Sequence, residues 1–190
     1  MRRSLPVVLT VASVLALGAC ADEGGRARPG STAAPTTTTL EPSPSADRPR
    51  EVKLDGKKPC ELLTPVQLTG FSIDREGEPL EVPTLNATGC QWTVTGAANM
   101  LVPVTADGIE VWTDGKRAGQ PTAVDPISGF KAITLTIPSN PHRCDVLVDT
   151  AAGQYLAAGF SLATDKPERF PKPCDRAREL AEAAMQNLLK

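Results

Sequence analysis

Apolar and polar positions divide the chain into three stretches. Behind Arg2 and Arg3, Leu5 to Leu17 is a nearly unbroken apolar run. From Ala21 to Gly56 no apolar periodicity exists, and Pro and Thr dominate, as in Pro35-Thr36-Thr37-Thr38-Thr39. From Lys57 onward two periods appear. Cys90, Trp92 and Val94 alternate with Gln91, Thr93 and Thr95, and Ile133, Leu135 and Ile137 alternate with Thr134 and Thr136. That period of two predicts half-buried strands. Ala177, Leu180, Ala181, Ala184 and Leu188 recur at helical spacing instead and predict a C-terminal helix with one apolar face.

Local signals add the remaining elements. Thr64 suits an N-cap with Pro65 at the first helical position, so a short helix is expected to run from Pro65 to Gly70. Leu101 to Ala106 reads as a strand, placed at an edge because Pro103 has no N–H for a ladder. Asp107-Gly108 reads as a tight turn into a strand over Ile109 to Trp112. Cys144 to Asp149 and Tyr155 to Ser161 form a hairpin around Ala151-Ala152-Gly153. Asp175 is expected near the positive end of the last helix, with Arg178 and Glu182 paired one turn apart. The acidic run of Asp74, Glu76, Glu78 and Glu81 reads as a loop. The fold class is therefore α+β: an antiparallel sheet with a short N-terminal helix and a C-terminal helix on one face.

The cysteines refine this organisation. Leu17-Gly18-Ala19-Cys20 closes the first apolar run with a leucine, two small residues and a cysteine, the pattern of a bacterial lipoprotein processing site. The run is too short for a membrane span, which needs about 20 apolar residues, and fits a signal peptide. Residues 1–19 are thus expected to be removed. Cys20 is expected to carry lipid and hold the protein at the outer face of the plasma membrane. An ordinary secretory signal would leave an unpaired thiol at the cut site, which disfavours it. Residues 20–56 are expected to form a disordered tether, because they cannot bury enough surface to offset ordering entropy. Such a chain spans roughly 30–40 Å. The threonine run also suits a sugar-carrying stalk. Residues 57–190 are expected to be a single extracytoplasmic α+β domain.

Of five cysteines, removing Cys20 leaves Cys60, Cys90, Cys144 and Cys174. An even number in an exported domain reads as disulfides. Three pairings are possible. Cys60 with Cys90 and Cys144 with Cys174 is favoured, because each then joins the start of a helical stretch to a strand. A zinc site normally needs close pairs such as C-x-x-C, which are absent here.

The cysteine surroundings carry a resemblance. Pro59-Cys60-Glu61-Leu62-Leu63-Thr64, Gly89-Cys90-Gln91-Trp92, Cys144-Asp145-Val146-Leu147-Val148-Asp149 with Gly153-Gln154, and Pro173-Cys174 heading an alanine-rich helix follow in that order. Together they resemble an actinobacterial lipoprotein family known only as domain of unknown function 3558. The resemblance covers roughly residues 57–189 and implies a cell-surface α+β lipoprotein without assigned catalytic residues. Residues 97–129 fit that pattern least, which leaves their strand order open.

Candidate chemistry is sparse. His142 is the only histidine, in a turn-like segment, which excludes a multi-histidine metal site. Gly159-Phe160-Ser161-Leu162-Ala163 falls short of the G-x-S-x-G nucleophile elbow and ends a strand instead of opening a helix. A hydrolase using Ser161 and His142 is a weak alternative. Asp145 and Asp149 share strand parity. A hard cation would suit them, but a solvated sheet face is the expected reading. From Glu51 onward there are 14 basic and 18 acidic residues, so nucleic acid is not an expected partner. No cofactor, metal or catalytic constellation is read. The expected function is binding or accessory work at the envelope, with Trp112 and Tyr155 as candidate contact residues and an envelope protein or ligand as partner. A carrier of an apolar ligand is the alternative, and it requires a cavity of about 300 Å3 or more.

Overall fold

The computed structural model describes residues 48–190. The expected signal peptide, Cys20 and the expected tether as far as residue 47 lie outside the described residues. The described part is a seven-stranded antiparallel sheet with a helix across one face. Its strands are β1 (Glu78–Val82), β2 (Ala87–Val94), β3 (Ala97–Val104), β4 (Gln120–Ile127), β5 (Phe130–Ile137), β6 (Asn140–Ala151) and β7 (Gln154–Leu162). They lie in the order β1-β2-β3-β7-β6-β5-β4. The expected hairpin is β6–β7, turned by Ala152-Gly153 with Gly153 in the left-handed region that glycine favours. Both expected disulfides form, Cys60–Cys90 and Cys144–Cys174.

Alternation gives the sheet two different faces. Cys90, Trp92, Leu101, Val146, Val148, Leu156, Ala158 and Phe160 point to one side and build the larger core. The C-terminal helix α3 (Pro173–Leu188) covers that side, packing across β6 and β7 through Ala177, Leu180, Ala181, Ala184 and Met185. Burying Leu180 fully contributes about 1.5–3 kcal/mol relative to exposing it. Arg178 and Glu182 pair at 2.8 Å as expected. The short helix α1 (Pro65–Gly70) is capped by Thr64 in a capping box closed by Gln67. Gln67 Nε2 also donates to the Ala183 carbonyl at 3.1 Å, which ties α1 to α3.

Four expectations change. Pro103 does not mark an edge, because β3 lies between β2 and β7. The β2–β3 ladder reaches only Cys90 opposite Leu101, so the missing N–H of Pro103 falls where β3 is paired on one side only. Ile109 to Trp112 is not a strand: Glu110–Thr113 is a short helix, α2, entered from buried Ile109. Ile109 and Val111 stand two apart, as on one face of a strand, but Ile109 and Trp112 stand three apart, a helical spacing. Part of the acidic run is strand, since Glu78 and Glu81 belong to β1.

The packed residues also begin earlier than Lys57. Val52 and Leu54 are buried, and Val52 N–H donates to the Thr150 carbonyl at 2.8 Å. Leu54 N–H donates to Gln154 Oε1 at 2.7 Å. Arg48 pairs with Asp149 at 2.6 Å, with side chains 5% and 2% exposed. The segment from Arg48 to Gly56, read from sequence as tether, thus clasps the β6–β7 turn. Isolated apolar residues among charges carry no period, so the pattern did not reveal it.

Candidate functional site

The sheet face opposite α3 is also apolar. Val102, Val104, Ile133, Leu147, Tyr155 and Ala157 form a second, smaller core there. The loop between β3 and β4, which carries α2, covers only part of it, and a groove of about 560 Å3 remains open beside that loop. The register explains its shape. Met100, Gly159, Asp145 and Leu135 stand in one row across β3, β7, β6 and β5, and Val102, Ala157, Leu147 and Ile133 stand in the next. Glycine and alanine in the centre of those rows lower the floor between larger side chains. A Cβ at Gly159 would run into the Asp145 carboxylate and come within 3.0 Å of Met100 Cε.

Three segments wall the groove. Val82 and Leu85 close one side, Trp112, Arg117 and Ala118 form another, and Ile137, Asn140 and Arg143 stand at the β5–β6 end. The Trp112 wall is fastened down. Its Nε1–H donates to the Tyr155 hydroxyl at 3.1 Å, and the Arg117 guanidinium lies over its ring at 5.6 Å from the centroid. Arg117 in turn pairs with Asp107 and donates to the Thr84 carbonyl. Burial pushes the Tyr155 hydroxyl above its ordinary pKa, while the Trp112 hydrogen bond pulls the other way.

Two carboxylates lie on this face, and neither is solvated. Asp145 accepts from both Nε and an Nη of Arg143, each at 2.9 Å. That bidentate bond holds the Arg143 guanidinium charged and raises its pKa against the opposing effect of burial. Burial pushes the Asp149 carboxyl up in spite of Arg48 beside it; Glu110 adds to the rise and Lys131 opposes it. The expected solvated face is therefore a second core with two salt-bridged acids in it. Among the described residues no group of three or more His, Cys, Asp or Glu is placed to hold a metal ion.

The sequence-named residues separate. Trp112 lines the groove, half-buried, whereas Tyr155 is completely buried beneath it and is not a surface contact. Ser161 lies directly opposite Arg143 on the groove face. His142, one residue earlier in β6, projects from the other face and is exposed. Strand parity therefore keeps the Ser161 and His142 side chains apart. Sequence reading missed Arg143 and Gly159. Arg143 two residues before Asp145 in one strand was a readable signal, since such pairs share a face.

A second cavity of about 620 Å3 opens where β2 and β3 part, lined by Asp55, Lys57, Glu81, Asn86, Thr88 and Thr105 among others. It is wide and polar, without the apolar floor that marks the groove. Among the described residues no helix is long and apolar enough to cross a membrane.

The family model described as protein of unknown function, DUF3558, matches residues 15–187. No curated protein and no solved structure matches the chain.

Proposed function

Since this chain belongs to the DUF3558 family of proteins of unknown function, its role rests on its own residues, and we propose that it is an actinobacterial envelope lipoprotein whose domain binds an apolar ligand. In this reading Cys20 carries a diacylglyceryl group at the outer face of the plasma membrane. Two lipid chains make such an anchor stable where one does not. The tether then sets the domain off the membrane, and the domain presents its groove.

The observation that carries the binding reading is the groove itself. A volume of about 560 Å3 falls within the range of small-molecule sites, which are concave, mainly apolar and furnished with a few placed polar groups. Leu135, Leu147, Met100 and the Trp112 ring supply the apolar lining, and Arg117, Asn140 and Arg143 supply the polar groups.

The test is a titration of the chain from residue 20 onward, carrying Cys20→Ser, with the neutral apolar dye N-phenyl-1-naphthylamine. Saturable enhancement at one dye per chain is expected, and Ala118→Trp, which fills the groove from its exposed rim, should abolish it. Enhancement that survives Ala118→Trp would place the dye elsewhere and reject the reading. The anchor is tested separately by alkyne-palmitate labelling in an actinobacterial host. Cys20→Ala should lose both the label and the membrane fraction, and a variant that keeps both would reject lipidation at Cys20.

A further inference from the structure

Resting on the reading of the groove as a ligand site, we infer that its ligand is a long-chain carboxylic acid, held with its head at Arg143. The groove is polar in an asymmetric way. Of β7, Ala157 lines the groove, and four residues further along the strand Ser161 stands opposite Arg143. At about 3.3 Å per residue this is roughly 13 Å. Trp112 stands over the Tyr155 end, and Arg143 and Asn140 stand at the other. Between them the floor offers only carbon and sulfur atoms from Leu147, Ala157 and Met100, with Asp145 turned into its bond with Arg143.

Arg143 has donors to spare. Its Nε and one Nη are committed to Asp145. Among the described residues the other Nη makes no hydrogen bond, and the side chain remains 38% exposed. A guanidinium already fixed on one edge by a carboxylate is a preorganised donor for a second anionic oxygen. Arg117 cannot play this part as readily, because its guanidinium is engaged by Asp107 and the Thr84 carbonyl. The charge of the head group matters because both arginines already have a carboxylate partner, Asp107 on Arg117 and Asp145 on Arg143. A carboxylate adds one negative charge beside Asp145, whereas a phosphate adds about −1.5 to −2 near neutral pH and is repelled more.

The experiment displaces bound N-phenyl-1-naphthylamine from the Cys20→Ser chain with palmitate, the alcohol of the same length and the corresponding alkyl phosphate. Palmitate should displace the dye at a roughly tenfold lower concentration than the alcohol, the ratio expected for one charge-assisted hydrogen bond. Arg143→Gln with Asp145→Asn removes the guanidinium without stranding a carboxylate. It should bring palmitate to the level of the alcohol, and an unchanged far-UV circular dichroism spectrum and a cooperative melt show that the variant is folded. Equal displacement by acid and alcohol in the parent chain overturns the head-group assignment and leaves the groove reading standing. Stronger displacement by the alkyl phosphate overturns the carboxylate. Displacement by a leucine-rich amphipathic peptide but by none of the three lipids assigns the groove to a protein partner and overturns the proposal. A dye that never binds removes the groove reading itself.

Discussion

Removing either disulfide should cost the domain the same stability, and removing both should unfold it. Each bridge closes a loop of 30 residues, Cys60–Cys90 and Cys144–Cys174, and the two loops share no residue. In the chain-entropy model a loop of that length is worth about 3.6 kcal/mol at 25 °C. The surroundings are matched as well. Cys90 and Cys144 are fully buried strand residues, and Cys60 and Cys174 are half-buried residues of helical turns. Alanine pairs therefore leave similar small voids. Two independent loops sum to about 7 kcal/mol, comparable with the ~5–15 kcal/mol total of a typical domain.

The assay is urea unfolding of the C60A/C90A and C144A/C174A variants, followed by the fluorescence of buried Trp92. With a slope of about 2 kcal/mol/M, each variant should lose about 2 M in its midpoint, with the two midpoints close together. A difference above roughly 1.5 kcal/mol between them would refute loop entropy as the shared cause. A loss below ~1 kcal/mol in either would do the same.

Other perturbations test the buried polar groups and the tight contacts. Arg48→Met strands the Asp149 carboxylate, which sits in the hairpin and cannot reach solvent, so about 3–5 kcal/mol should be lost at neutral pH. The Asp149 pKa is raised on folding, so its contribution is favourable below the ordinary carboxylate value and is lost as pH rises through the raised one. Removing Arg48 widens that window, so the penalty should shrink toward pH 4; thermal melts showing one penalty at both pH values would contradict this. Gly77→Ala places a Cβ against Cys90 Sγ and 2.6 Å from Trp92 Nε1, and calorimetry should find about 1–3 kcal/mol lost to overpacking; an unchanged melting temperature would count against the packing. Tyr155→Phe leaves the Trp112 indole N–H without its partner. It should cost about 1 kcal/mol, and a double-mutant cycle with Trp112→Phe should return most of that as coupling; a coupling of zero would show the wall is not fastened there.

What the sequence made legible follows from how local each cause is. The Thr64-Pro65 start, the Gly153 turn and the apolar face of α3 are set by residues within a few positions, and they stand where the pattern puts them. The disulfide partners followed from elements read correctly on either side of each bond. The errors have a different origin. Pro103 was placed at an edge because nothing near it reveals that β2 diverges beyond Cys90. Ile109 to Trp112 satisfies two periods at once, and tertiary burial of Ile109 selects the helix. Glu78 and Glu81 look like loop residues, yet an outer strand takes charges without penalty. The groove was the least legible feature, because it exists only where rows from four strands line up.

Asp145 and Asp149 show why the second face matters most for function. On the same face as buried Leu147, two carboxylates cost desolvation energy, and each is balanced by an arginine. An apolar pair of similar volume in either place would be as stable or more so, so stability does not account for them. Arg48 and Asp149 hold the start of the domain against the β6–β7 turn, where a chain arriving from Cys20 must enter. Arg143 and Asp145 hold a guanidinium at one end of an apolar trough, aimed by the carboxylate and still partly open. One pair fixes where the chain before Arg48 meets the sheet, and the other gives the trough a direction. If the second pair were merely structural, replacing both members by Leu and Met would leave ligand selection untouched while keeping the fold. A change in head-group preference in that folded variant is what the geometry of the groove requires.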